Sequence, residues 1–183
     1  MTDFLSKRYY FVIVPLLFSC QKLKPESVQI PEYPDFKQLM VDQVDLLENK
    51  EIKKTVWLEG ESETKTIDMD SSKWADELSF LQELNPNQPE YVGAFIKSSE
   101  AGYQVLTLGE KESGALKKVK FSKKNDRYRS IQITLHEDKD VYIHHREIEM
   151  SFEAGVLNSL QIDGYQKMMF KDTVRFGVEI SVD

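Results

Sequence analysis

Apolar side chains recur at spacings of three and four between Phe36 and Leu47, and at every second position through most of residues 91–183. The chain therefore reads as helices followed by strands. Asp35 can cap a helix running from Phe36 to about Lys50, with Phe36, Leu39, Met40, Val44 and Leu47 on one side. A second helix is predicted from about Ser72 to Leu84, burying Trp74, Leu78, Leu81 and Leu84 and stopped by Asn85-Pro86. Between them, Lys54 to Asp68 alternates around Gly60 and is rich in Thr, which predicts two short strands. From Tyr91 onward the pattern is strands only.

Register follows from asking which pairing keeps the apolar residues together, because a slip of one residue turns the whole set to the other face. A turn at Lys171-Asp172-Thr173 pairs Phe170 with Val174 and Met168 with Phe176. A turn at Ala154-Gly155-Val156 pairs Met150 with Leu160 and Ile148 with Ile162. A turn at Asp138-Lys139 pairs Leu135 with Tyr142 and Ile133 with His144. A turn at Asn125-Asp126-Arg127 pairs Phe121 with Ile131 and Val119 with Ile133. All four agree on one apolar face. The expected fold is α+β: an antiparallel β-meander of about seven to nine strands with the two amphipathic helices on one face.

The start of the chain has a different layout. Lys7 and Arg8 precede an apolar or aromatic run from Tyr9 to Phe18, then Ser19 and Cys20. A helix of about ten residues reaches only about half of a bilayer core, so the run fits an export signal rather than a membrane span. Leu17-Phe18-Ser19-Cys20 resembles the lipobox of bacterial lipoproteins: aliphatic at −3, small at −1, then the cysteine whose thiol receives diacylglycerol. Phe18 departs from the smaller −2 residue of the strictest pattern. The resemblance implies a signal peptide at 1–19 and lipidation (diacylglycerol, and an acyl group such as palmitate on the freed amine) at Cys20, with the acyl chains as the membrane partner. Gln21 in place of Asp implies outer-membrane sorting. The basic Gln21-Lys22-Leu23-Lys24 implies a periplasm-facing anchor rather than surface display. Residues 20–34, with Pro25, Pro31 and Pro34, form an extended tether able to hold the domain up to ~40 Å from the bilayer at ~3.1 Å per residue. A single α+β domain follows at 35–183. Its segment K-T-V-W-L-E-G-E-S-E-T-K-T-I, from Lys54 to Ile67, followed by a Trp-bearing helix and a run of strands, resembles small uncharacterised Gram-negative envelope lipoproteins. That resemblance implies a compartment and no activity.

Charge narrows the partners. The 183 residues carry 24 basic and 31 acidic side chains. Removing 1–19 takes Asp3, Lys7 and Arg8 and leaves a net −8, which disfavours nucleic acid. Ten Phe, eight Tyr and two Trp can fill a core, and the single cysteine excludes internal disulfides and multi-cysteine metal sites. Between Lys117 and Arg129 the balance reverses: Lys117, Lys118, Lys120, Lys123, Lys124, Arg127 and Arg129 stand against Asp126 alone. This basic hairpin could meet anionic lipid or an acidic protein, or it could be a solvated face whose lysines prevent edge association.

The expected register puts His144 and Arg146 on the apolar face, opposite Gln166 and Gly164. Something must satisfy a guanidinium there: a helix carboxylate such as Asp45 or Glu77, a ligand in the room left by Gly164, or water at the open end of the sheet. His144, Arg146 and Gln166 are the candidate binding residues. His136 and His145 share the other face, but the expected register holds them roughly 13 Å apart, too far for one ion, so no metal site is expected. No nucleophile motif or phosphate loop is present, so no catalytic residue or cofactor is assigned. The expectation is a non-enzymatic, membrane-anchored binding or interaction module of the cell envelope. The alternatives are a periplasmic lipid or lipoprotein carrier, by analogy of architecture with LolA and LolB, or an envelope hydrolase.

Overall fold

The computed structural model describes residues 33–183. The expected signal segment, Cys20 and most of the tether lie outside the described residues. Tyr33 and Pro34, at the end of that tether, are buried. The Asn87 side chain holds them, accepting from the Tyr33 N–H at 3.0 Å and donating to the Tyr33 and Pro34 carbonyls at 3.1 and 3.0 Å.

Helix α1 covers Phe36–Leu46. The Asp35 carboxylate accepts from the N–H groups of Lys37 and Gln38, each at 3.1 Å, satisfying two of the donors a helix start leaves free. Phe36, Leu39, Met40 and Gln43 are buried. The helix stops short of Lys50, and the following turn places Asn49 at φ 61°. Strands β1 (Glu51–Leu58) and β2 (Glu61–Asp68) form a hairpin whose two turn residues, Glu59 and Gly60, both have positive φ.

The expected second helix is broken into α2 (Ser71–Glu77) and α3 (Phe80–Glu83). Asp70 caps α2 by accepting from Lys73 N–H at 2.8 Å. At the break, the Ser79 hydroxyl donates to the Asp76 carbonyl at 2.8 Å, competing with helical pairing. The apolar face survives the break, since Trp74, Leu78 and Leu81 are all buried.

Seven further strands follow: β3 (Phe95–Glu100), β4 (Tyr103–Leu108), β5 (Leu116–Lys124), β6 (Arg127–Lys139), β7 (Tyr142–Glu153), β8 (Val156–Met168) and β9 (Thr173–Val182). All nine strands join one antiparallel sheet in the order β2-β1-β9-β8-β7-β6-β5-β4-β3. The fold is α+β and mostly sheet. It is a meander from β3 to β9, with the β1–β2 hairpin added alongside β9.

Two expected registers hold: Phe121 faces Ile131 and Val119 faces Ile133, while Met150 faces Leu160 and Ile148 faces Ile162. In both hairpins the turn has two residues, Asn125-Asp126 and Ala154-Gly155, all at positive φ, and a bulge beside it restores the register. The other two differ. Leu135 faces Arg146, not Tyr142, and Ile133 faces Ile148, not His144, because the turn is at Asp140-Val141. Phe176 faces Gly164, not Met168, and Val174 faces Gln166, not Phe170, because residues 168–172 form a longer loop. Each correction shifts the pairing by an even number, so the same side chains still share a face. That apolar face carries Val119, Ile131, Ile133, Ile148, Met150, Leu160 and Ile180, all buried in one cluster with side chains of α1, α2 and α3.

Candidate functional site

His144, Arg146 and Gln166 come together on the apolar face, near the end where β6–β7 and β8–β9 turn. Arg146 stands between Leu135 and Gly164, and Gly164 faces Phe176 in the next strand. His144 stands between Glu137 and Gln166, which faces Val174. The Arg146 guanidinium carbon lies 5.9 Å from the centre of the Phe176 ring, and the His144 ring centre lies 6.3 Å from it. The aromatic face thus offers the cation a quadrupole contact.

The expected carboxylate partner is not there. Glu77 pairs instead with Lys54 of β1 at 2.6 Å, and Asp45 is exposed. The Arg146 Nε is buried without a hydrogen-bond partner. The room expected above Gly164 is also taken, since a Cβ there would sit 2.6 Å from Phe176 Cζ and 2.8 Å from the His145 carbonyl oxygen. Gly164→Ala is therefore expected to cost about 1–3 kcal/mol in a urea unfolding titration, because the ring and a backbone carbonyl must both give way. Burial, then the positive charge of Arg146, lowers the His144 pKa below 6.5, against a smaller opposing effect of Glu137. The imidazole is neutral at pH 7, and Arg146 supplies the charge of this cluster.

Exposed apolar side chains adjoin it. Leu58, Val174 and Met168 are 55%, 42% and 47% exposed on the same face. Phe170, in the loop after β8, is 97% exposed.

The basic hairpin does not form one patch. Lys118 and Lys120 alternate with buried Val119 and Phe121, so they stand on the polar face, where Lys120 lies over the Tyr103 ring at 4.4 Å. After the bulge at Ser122/Lys123, Lys123 lies over the Tyr128 ring at 4.3 Å. Arg127 donates to the Ala154 carbonyl at 2.9 Å, and with Lys124 and Arg129 it lines a cleft of about 610 Å³ at the hairpin tip. Lys117 sits at the bulge that opens β5. Tyr128 has its pKa pushed up to about 12, by burial first and then by Asp35, so it remains a neutral phenol beside these cations.

The histidines differ from expectation. His136 faces His145 directly and the ring centres are 5.7 Å apart, because the true β6–β7 register removes the predicted offset. Among the described residues no group of three or more His, Cys, Asp or Glu is arranged to hold a metal ion. Instead, His145 stacks on Tyr165 with centres 5.2 Å apart, and its Nε2 lies 3.5 Å from Glu147. Tyr165, Trp57 and Asp163 share this polar face, and sequence reasoning singled out none of them. Their alternation with the core positions is visible in the sequence, but nothing local marks Trp57 or Tyr165 off from other strand aromatics. Comparisons with protein-family models, curated proteins and solved structures find no match.

Proposed function

We propose that the chain is an envelope lipoprotein, anchored through acylated Cys20 to the periplasmic side of the outer membrane, acting as a non-enzymatic binding module. Its binding surface is the open end of the apolar face around Arg146. The observation that carries this reading is the guanidinium itself: half-buried, with Nε unpartnered and no carboxylate paired to it among the described residues. Such an orphan donor costs stability, and the charge of the guanidinium, which no carboxylate balances, would draw an anionic group of a ligand to its outer nitrogens. In this reading the helices cover one end of the apolar face. Phe36, Leu47, Trp74 and Leu78, all fully buried, support that placement. So do the hydrogen bonds of Gln43 to Gly155 and Leu157.

A carrier of lipid or of acylated protein is the second reading, favoured by the exposed Leu58, Val174 and Met168 beside Arg146. Against it stands the packing of the helices, which bury Phe36, Leu39, Met40, Trp74, Leu78 and Leu81 in the core rather than standing clear of the sheet.

Full-length protein and its Arg146→Met variant, released gently from membranes, would be compared by native mass spectrometry and by urea unfolding. The expected result is a co-purifying anionic species that the variant loses, with stability unchanged or raised. A stability loss of several kcal/mol, or no bound species in either form, overturns the reading. The anchor is tested separately by labelled-palmitate incorporation, which Cys20→Ala is expected to abolish and which equal labelling would refute.

A further inference from the structure

The polar face of the sheet carries a second feature, independent of Arg146. An exposed face of an antiparallel sheet is normally a field of solvated polar side chains. Here it also presents aromatic surface. Trp57 of β1 packs on the bare backbone of Gly177 in β9, and a Cβ at that position would collide with three atoms of the indole. The indole is half-buried, with its outer side lining a cleft. Tyr165 of β8 lines the same cleft and stacks on His145 at an interplanar angle of 28°.

Two clefts of about 270 Å³ each meet on this face, and both are lined by Glu147 and Asp163. One holds the aromatic side chains. The other holds planar amide and carboxylate groups paired with one another: Gln161 Nε2 donates to Asp163 at 2.8 Å, and Gln132 Nε2 donates to Glu149 at 3.1 Å. Lys118, Lys120 and Arg175 also line the pair, so its three carboxylates are matched by three cations. A charge-balanced trough fits a ligand without net charge. Flat rings beside paired donors and acceptors match one ligand chemistry well. A pyranose ring offers an apolar C–H face to an aromatic ring, and a rim of hydroxyls that both donate and accept.

We propose that the polar face is a saccharide-binding strip, which takes an uncharged hexopyranoside chain, plain or N-acetylated, with a ring on Trp57 and Tyr165 and hydroxyls on Glu147, Asp163 and Gln161. The strip is a separate site from the Arg146 surface.

The test is calorimetric titration of the full-length chain with cellotriose and with tri-N-acetylchitotriose. Trp57 is one of two tryptophans, and the other, Trp74, is buried, so fluorescence of the wild type gives a second readout. Saturable binding of at least one sugar is expected. Tyr165→Ala and Trp57→Ala should each weaken it about tenfold or more, by losing one stacking surface. Gly177→Ala should weaken it as well, by displacing the indole while retaining it. Arg146→Met should leave it unchanged, which separates this site from the proposed ligand surface. Circular dichroism confirms that each variant is folded. Binding of neither sugar, or binding undiminished in both aromatic variants, overturns the proposal.

Discussion

Trp74→Ala is expected to lower the unfolding free energy by about 3–5 kcal/mol, the range for removing a large aromatic side chain from a closed core. Trp74 is 0% exposed and stands among the largest fully buried side chains. It lies on a helix of only seven residues, too short to persist without the contacts of its apolar side. The same residue supplies an internal control. Its indole Nε1 is buried with no hydrogen-bond partner, a donor that already costs stability. Trp74→Phe loses ring volume but also removes that orphan donor, so it should cost less than half as much. Urea unfolding monitored by far-UV circular dichroism measures both, and equal losses would mean that the indole N–H is satisfied after all.

Gln43→Leu is the second large effect, expected at about 2–5 kcal/mol although the change makes the core more apolar. Among the described residues Gln43 is the one buried polar side chain, at 3% exposure. Its Nε2 donates to the Gly155 carbonyl at 2.9 Å, and its Oε1 accepts from the Leu157 N–H at 2.7 Å. The amide thus imitates a neighbouring strand at the β7–β8 turn, filling a donor and an acceptor that the hairpin leaves open. Leucine would strand both backbone groups out of reach of water. Hydrogen exchange at Leu157 gives a local check: its amide should lose protection in the variant before the sheet as a whole does.

Gln43 also marks what can be learned from a linear pattern. Phe36, Leu39, Met40 and Leu47 announce α1, and Asp35 announces where it starts, because capping and periodicity are local properties of the chain. A glutamine within that apolar stripe is invisible to periodicity, since its value depends on a hairpin more than a hundred residues away. The strands show the same division. From β5 to β9 alternation placed most of the apolar side chains on one face. The pairing partner was found only where the turn chemistry was distinctive, at Asn125-Asp126 and Ala154-Gly155. At Asp138 to Val141 several polar residues could turn equally well. After Met168, the apolar Met169 and Phe170 looked like strand while belonging to an exposed loop. The His144, Arg146 and Gln166 cluster survived the slip because parity survived it. The expected separation of His136 from His145 did not, because it depended on the register itself.

The position of β1 beside β9 has a consequence in time. Ile52 pairs with Val182 and Trp57 with Gly177, so β1 finds its partner strand only once nearly the whole domain is free to fold. Until then the β1–β2 hairpin has one strand without a neighbour, and a two-stranded ribbon is marginally stable by itself. Joining segments so distant in the chain makes for slow, high-contact-order folding. A chain ending before Thr173 would leave both β1 and β8 as open edges of the kind that recruit other chains. The last ten or so residues act as the keystone of the sheet, and premature termination there should yield aggregation rather than a smaller folded domain.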